Sequence, residues 1–153
     1  MFRGITSVNL DPKGRFAIPI RYRNAMVLNV PYPMVLTIDT HSPCLLLYPI
    51  QEWEVIENKL QNLSSFNQTT RRIQRLLIGH ATELEIDSAG RILIPQILRD
   101  YAALTKETVL VGQGRKLELW DKQTWHQNRE SWLKEEKELQ EEDIPEELMN
   151  ISL

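Results

Sequence analysis

The chain has 153 residues, of which 42% are hydrophobic and 25% charged, as is ordinary for one soluble globular domain with a real core. No run approaches the roughly 20 apolar residues of a membrane span, and the N-terminus lacks the apolar stretch of a signal peptide. A single cysteine cannot form an internal disulfide. We therefore expect a cytoplasmic protein that has no membrane partner.

The net charge of −3 hides an asymmetry between the two ends of the chain. Residues 130–153 hold nine acidic and two basic residues, whereas residues 1–129 carry sixteen basic and twelve acidic ones. Charge asymmetry of this kind indicates a nucleic-acid-binding face with an acidic tail. On charge alone, a solvated surface with randomly clustered charges explains the pattern equally well.

In chain order, the first recognisable element is a turn sequence that occurs twice. Asp11-Pro12-Lys13-Gly14-Arg15 recurs seventy-six positions later as Asp87-Ser88-Ala89-Gly90-Arg91. Between residues 8–23 and 84–99, six of sixteen positions are identical, and an arginine ends each stretch. The repeat indicates two copies of one supersecondary unit.

Turn chemistry predicts the local structure of each copy. An aspartate at the first position of a turn accepts hydrogen bonds from the turn backbone, and a glycine at the fourth position tolerates the left-handed conformation. Asp11, Asp87 and Gly90 are therefore assigned structural roles. The short alternating runs on either side predict a hairpin. The arginine that leaves each turn then either folds back onto its aspartate or points outward as a cationic contact.

The charges around each turn favour different roles for the two arginines. For Arg91 a salt bridge is favoured, because Glu83 and Glu85 lie nearby in sequence. For Arg15 an outward position is favoured, because Lys13 lies in the same loop. The arginine fork fits guanine O6 and N7 or phosphate oxygens, and a β-ribbon can carry it into the major groove. Arg91 remains a candidate as the counterpart of Arg15 in the second turn. The candidate DNA contacts are therefore Arg3, Lys13, Gly14, Arg15, Arg21 and Arg91.

The rest of the chain alternates short apolar runs with helical patterns. Predicted strands cover residues 34–39, 45–48, 108–111 and 117–120. Predicted helices cover residues 21–28, a stretch opened by Pro49, residues 68–78 ended by Gly79, and a stretch from Trp125 to Leu139.

Three arginines on the helix predicted over 68–78 allow two interpretations. Arg71, Arg72 and Arg75 lie largely to one side of this helix. They either contact phosphates or pair with acidic residues of a neighbouring subunit, and the second role is favoured.

Catalysis is not indicated by the polar residues of the chain. Cys44 lies within six positions of His41 and Asp39, but no oxyanion loop accompanies these residues. A cysteine that begins an apolar strand is usually a small buried hydrophobic residue. Three scattered histidines and one cysteine make no metal-ligand set, and no phosphate-binding glycine loop occurs. We expect no enzyme activity, no cofactor, no metal and no small-molecule substrate.

Taken together, the motifs resemble those of the bacterial MraZ proteins. The resemblance rests on the opening Met1-Phe2-Arg3-Gly4, the two Asp-x-x-Gly-Arg turns, and the stretches 44–49, 71–81 and 117–120, and it covers roughly residues 1–128. It implies a mixed α+β fold, mainly β with flanking helices. In that fold, two interleaved AbrB-like swapped-hairpin units form one pseudo-two-fold barrel.

The resemblance also implies a function and an organisation of the chain. It implies ring-shaped homo-oligomers, an octamer or larger, that bind repeated elements of double-stranded promoter DNA. These rings would act at the nucleoid as a repressor of the operon for division and cell-wall synthesis. The expected segments are a first repeat over 1–80, a second over 81–128, and a C-terminal helix with an acidic tail over 129–153. The alternative is an antitoxin-like protein-interaction module.

Overall fold

The computed structural model describes residues 1–24, 26 and 29–153. The strands are β1 (Ile5–Asn9), β2 (Arg15–Ala17), β3 (Met34–Ile38), β4 (Leu45–Pro49), β5 (Thr82–Leu84), β6 (Arg91–Leu93), β7 (Glu107–Gly112) and β8 (Leu117–Asp121). The helices are α1 (Ile20–Arg23), α2 (Ile50–Gln61), α3 (Gln68–His80), α4 (Gln96–Tyr101), α5 (Lys122–Glu138) and α6 (Glu146–Met149), with a 3₁₀ turn at Glu141–Asp143. The chain forms two compact units, residues 1–122 and 123–153, and the strands named above all lie in the first.

Strand pairing interleaves the two repeats. Six strands form one sheet in the order β1-β7-β8-β4-β3-β5, and β2 pairs with β6 in a separate two-stranded ribbon. The first repeat's β1 pairs antiparallel with β7 of the second repeat, and the second repeat's β5 pairs with β3 of the first. Each repeat therefore completes the sheet of the other, which confirms the expected mixed α+β fold with swapped hairpins.

The predicted hairpin is wrong, because the strands before and after each repeated turn do not pair with each other. The strands before and after each turn lie in different sheets, so they separate as soon as the turn ends. The backbone bond from Asp11 N to Arg15 O at 2.8 Å joins the ends of the first turn, and the bond from Asp87 N to Arg91 O at 2.9 Å joins those of the second. Among the described strands, β1 and β5 end the sheet, so hydrogen bonding does not close it into a ring.

The core fills the space between the sheet and the ribbon. Phe16 and Ile92 face each other on the ribbon and are 2% and 1% exposed. They belong to one apolar cluster with Leu36, Leu47 and Leu110 of the sheet. Burying each such side chain contributes about 1.5–3 kcal/mol. Because side chains alternate along a strand, this burial also fixes which residues the ribbon presents outward.

The helices differ from the prediction in three places. The predicted helix over 21–28 is observed as α1, and Ala25, Val27 and Leu28 lie outside the described residues. The expected stop at Gly79 is wrong, because α3 continues to His80 and Gly79 has no positive φ that would end a helix. The helix α4 was not predicted, and it is the second repeat's counterpart of α1.

The second compact unit, residues 123–153, contains most of α5, the 3₁₀ turn and α6. Trp125 and Trp132 of α5 pack edge to face, with ring centroids 5.7 Å apart. Among the described residues, no helix has both the length and the apolar content needed to cross a bilayer.

Two glycines give a matched test of the β1–β7 pairing. A Cβ on Gly112 would run into the backbone of Arg3, whereas a Cβ on Gly79 would meet nothing within 4 Å. We expect Gly112→Ala to destabilise the fold by about 1–3 kcal/mol, because the backbone of Arg3, two residues before β1, must shift. Gly79→Ala should stabilise it by about 0.5–1 kcal/mol, because alanine favours the helix. Thermal unfolding of both variants measures these changes, and a Gly112→Ala protein as stable as wild type would contradict the pairing.

Candidate nucleic-acid interface

The first repeated turn, residues 11–15, is organised by one carboxylate. Asp11 Oδ1 accepts hydrogen bonds from the backbone N–H groups of Lys13 and Arg15, both at 2.9 Å. Asp11 Oδ2 accepts from Arg15 Nε at 2.8 Å. Gly14 donates its N–H to the carbonyl of Asp11 at 2.9 Å and has a φ of +87°. Only glycine adopts this conformation without strain, so the repeated Asp and Gly fix the shape of the turn.

The second turn, residues 87–91, has the same geometry. Asp87 Oδ1 accepts from the backbone N–H groups of Ala89 and Arg91 at 2.9 and 2.8 Å, and Oδ2 accepts from Arg91 Nε at 2.8 Å. The salt bridge expected for Arg91 is therefore present. Arg15 forms the same bridge, so the expectation that Arg15 alone points freely outward is wrong. The physical reason is that both aspartates present Oδ2 to the arginine four residues later.

Both aspartates are stabilised in their charged form. The backbone N–H of Arg15 is the largest cause that lowers the pKa of Asp11, and the Arg15 guanidinium lowers this pKa further. The backbone N–H and guanidinium of Arg91 lower the pKa of Asp87 in the same way. Both turns are therefore built around ionised carboxylates at neutral pH.

The ribbon places the two arginines on one outward face. Arg15 lies opposite Leu93, and Ala17 lies opposite Arg91, while the residues between them point into the core. Arg15 and Arg91 are thus diagonal neighbours, with Cα atoms about 8 Å apart by standard strand spacing. Their side chains are 30% and 38% exposed. We call the surface formed by Arg15, Ala17, Arg91 and Leu93 the ribbon face.

The bridges leave most of each guanidinium uncommitted. Each aspartate bonds to Nε, and the Nη groups of Arg15 and Arg91 make no hydrogen bond within the described part of the chain. A guanidinium carries five N–H donors in a planar fork, of which four belong to the Nη atoms. Each arginine is therefore both held in place by its turn and able to donate to a ligand.

The charges around the ribbon face are mixed. Lys13 is exposed in the first turn, where the second turn has Ala89. The exposed Glu83 and Glu85 line a hollow beside the ribbon face that Arg15 and Arg91 also line. These two acids therefore lie near both arginines, and Lys13 remains the charge difference between the two turns.

The side chain of Arg21 extends from α1 to the start of β1, and Arg3 lies just before that strand. Both residues are away from the first turn. Arg21 Nη2 donates to Thr6 Oγ1 and to the hydroxyl of Tyr22, whose ring lies under the guanidinium at 4.6 Å. The same hydroxyl donates to the carbonyl of Arg3 at 3.0 Å. Thr6 precedes Asp11 by five residues, which is about 17 Å along an extended strand. These two candidate contacts form a second basic group, separate from the first turn.

Each turn glycine is covered by an arginine of the other repeat. A Cβ on Gly14 would lie 2.7 Å from both Nε and Cζ of Arg99, and a Cβ on Gly90 would overlap the guanidinium of Arg23. The contacts of Arg99 with Gly14 and of Arg23 with Gly90 were not predicted from the sequence. The available signal was that Arg23 and Arg99 hold the same offset in the two repeats.

The arginines of α3 line their own surface hollow. Arg71, Arg72 and Arg75 share it with Gln68 and Leu76. Within the described residues, none of the three forms an ion pair.

Cys44 lies in a polar cluster that includes a residue from the second repeat. Its thiol is fully buried and lies 3.7 Å from Asp39 Oδ2, and a carboxylate oxygen of Glu118 completes a group whose atoms lie within 4.8 Å of one another. Burial is the main cause that raises the pKa of the Cys44 thiol, and the nearby Glu118 and Asp39 raise it further. A buried, protonated thiol is unreactive. Glu118 could not be placed here from sequence, because β8 reaches β4 only through the pairing of the two repeats.

The lowered pKa of Asp87 generates a test of the turn. Its folded pKa lies below the ordinary value of 3.8, so its contribution to stability is present above that value and is lost as the pH falls through the folded pKa. We expect Asp87→Asn to be less stable than wild type at pH 7, with the gap closing below about pH 3.8. Urea unfolding across pH 2–7 measures this. A gap that stays constant across that range would show that the carboxylate charge does not hold the turn.

Known proteins match this chain over its whole length. A family model described as "MraZ protein, putative antitoxin-like" matches residues 1–76 and again 77–147. A transcriptional regulator MraZ from Legionella pneumophila (strain Philadelphia 1) is 52% identical over 153 residues, covering all of both chains. Proteins of the same name from Escherichia coli O9:H4 (strain HS) and Escherichia fergusonii are 55% and 54% identical over the same span. The duplicated turn, the interleaved strands and these matches agree, and the chain belongs to the MraZ family.

Proposed function

We propose that this chain is a transcriptional regulator that binds double-stranded promoter DNA through its ribbon face. Its relatives are named transcriptional regulators, and theirs is not an enzyme family. The observation that carries the DNA-binding proposal is the position of Arg15 and Arg91. Both lie on one outward strand face, each anchored through Nε with its Nη groups uncommitted within the described residues.

The ribbon face suits the major groove of DNA. A two-stranded ribbon fits a groove about 12 Å wide, and arginine Nη donors match the O6 and N7 acceptors of guanine. The aspartate bridge fixes the rotamer of each arginine before DNA arrives, so less side-chain entropy is lost on binding. Arg15 and Arg91 therefore specify sequence in this proposal.

Other basic groups contact the phosphate backbone. Lys13 extends from the first turn, whereas the expected contact at Gly14 is left out of the proposal, because Gly14 is buried and Arg99 fills the space where its side chain would be. Arg3 and Arg21 supply a second basic group at the start of β1. Phosphate contacts of this kind set register and orientation rather than sequence preference.

Several copies of the chain act together in this proposal. One ribbon face with two arginines binds weakly, whereas a ring of eight or more chains presents many such faces to repeated promoter elements at high effective concentration. Arg71, Arg72 and Arg75 then pair with acidic residues of a neighbouring chain. The ring represses its own division and cell-wall operon in the cytoplasm, at the nucleoid.

The wording of the family description favours a second candidate, an antitoxin-like module that binds another protein. A stoichiometric complex with a second protein that blocks DNA binding would favour this candidate. The acidic C-terminal segment is the natural binding surface for a basic partner.

Removing either ribbon arginine tests the proposal. We expect Arg15→Ala and Arg91→Ala each to weaken promoter binding, because each good bidentate base contact contributes about 1–3 kcal/mol. Arg15→Ala should weaken promoter binding more, because the turn that holds Arg15 also holds Lys13, and the second turn has no lysine. Fluorescence anisotropy with a labelled promoter fragment measures affinity, and native mass spectrometry checks the oligomer.

Lys59→Ala is the matched control, because it removes one exposed positive charge from α2 instead of the ribbon face. If Lys59→Ala weakens binding as much as Arg15→Ala, net charge rather than the ribbon face controls affinity. If Arg15→Ala unfolds the protein instead, its bridge is structural and the base-contact role is wrong.

The salt dependence of binding tests the involvement of several copies. Each neutralised phosphate contributes about −0.9 to the slope of log K against log salt. We expect a slope several times steeper than −0.9, because Lys13 and the arginines of more than one chain release counterions together. A titration from 50 to 400 mM KCl, followed by anisotropy, gives the slope. A slope no steeper than about −1 would mean that a single phosphate is contacted, and multivalent binding would be wrong.

A further inference from the structure

The two turns of the ribbon depend on contacts that cross between the repeats. The carbonyl of Gly14 accepts a hydrogen bond from Ile94 N at 2.8 Å, and the carbonyl of Gly90 accepts one from Ile18 N at 2.9 Å. Each turn is thus joined through its backbone to the strand end of the other repeat. A helix arginine of that other repeat then covers the glycine of the same turn.

Arg99 packs against the first turn. A Cβ on Gly14 would lie 2.7 Å from Nε and Cζ of Arg99 and 2.9 Å from its Cδ. The glycine leaves room for these atoms, and no other residue type at position 14 would. Arg99 comes from α4, so the second repeat's helix supports the first repeat's turn.

The hydrogen bonding of Arg99 shows that packing, not a bond from Nε, holds it there. Arg99 Nε is buried and has no hydrogen-bond partner within the described residues. Its counterpart Arg23 covers Gly90 with Cζ and both Nη atoms instead, and Arg23 Nε donates to the carbonyl of Ile18 at 3.0 Å. A buried charged donor without a partner is costly, so a hydrogen bond from Nε does not account for the position of Arg99, and its contact with Gly14 is the interaction that remains.

The surroundings of the first turn leave one side of it open. A surface hollow of about 430 Å³ lies beside the turn, lined by Pro12, Gly14, Arg99 and Lys106 among others. The turn is therefore not backed by close-packed side chains on that side. A loop next to open space has many accessible conformations unless a side chain covers it.

We propose that Arg99 is a positioning residue that holds the first turn, and with it Lys13 and Arg15, in its binding shape through the packing of its Cδ, Nε and Cζ atoms against Gly14. Arg99 needs no contact with DNA in this role. Its effect on DNA affinity rests on the function proposed above, whereas its effect on the turn is independent of DNA.

Comparing Arg99→Ala and Arg99→Lys with Arg23→Ala separates the effect of the side chain's shape from the effect of its charge. Amide hydrogen exchange in the absence of DNA measures the turn directly, at Ile94 N–H for the first turn and at Ile18 N–H for the second. We expect Arg99→Ala to speed exchange at Ile94 by about tenfold and to leave Ile18 unchanged. Arg23→Ala should give the reverse pattern. Arg99→Lys should behave like Arg99→Ala, since lysine keeps the charge but lacks the Nε–Cζ group that packs against Gly14.

Promoter affinity is measured on the same variants. We expect Arg99→Ala and Arg99→Lys to weaken it equally, by about tenfold, with thermal stability changed little. Unchanged exchange at Ile94 in Arg99→Ala, or full recovery of exchange and affinity in Arg99→Lys, overturns the proposal. Faster exchange at Ile94 in a protein whose wild type binds no promoter DNA supports the positioning role and contradicts the proposed function. If Arg99→Ala does not fold, Arg99→Lys against Arg23→Lys gives the same comparison.

Discussion

The exchange of strands between the two repeats is the constraint on which the rest of the structure depends. Backbone N–H and C=O groups buried on folding must be paired, and a strand of three residues such as β2 or β5 cannot form a stable sheet alone. Here β1 finds its partner in β7, β5 in β3, and β2 in β6. Neither repeat can pair all of its own strands, so the two fold as one unit.

This constraint also fixes the candidate binding surface. With Phe16 and Ile92 in the core, the alternation of the strand forces Arg15 and Arg91 onto the outer side of the ribbon. The aspartates then decide the direction of each arginine through a bond to Nε. Backbone pairing, core packing and turn chemistry thus determine one surface together, and none of the three would do so alone.

Much of the local structure could be predicted because it depends on local chemistry. The Asp-x-x-Gly-Arg turns, the strands at 34–38 and 45–49 and the helix after Pro49 follow from short patterns, and the resemblance to MraZ proteins gave the swapped arrangement. Features that depend on contacts distant in sequence were missed or misjudged. A local hairpin was predicted because turn chemistry cannot show which strand supplies the partner.

The candidate site shows the same limit. Different neighbours in sequence suggested different roles for Arg15 and Arg91, but the folded turns hold both in the same bridge and place Glu83 and Glu85 near both. The support of Gly14 by Arg99, and the approach of Glu118 to Cys44, join residues far apart in the chain. The repeated offset of Arg23 and Arg99 was visible, but its meaning required the strand exchange.

The most direct test of the account is hydrogen–deuterium exchange of the protein with and without a saturating promoter fragment. If the ribbon face is the binding surface, DNA will slow exchange in peptides covering residues 11–17 and 87–93 together, because β2 and β6 form one ribbon. Peptides covering α3, residues 68–80, will be unaffected. Protection confined to α3, or to one of the two turns without the other, would contradict the account.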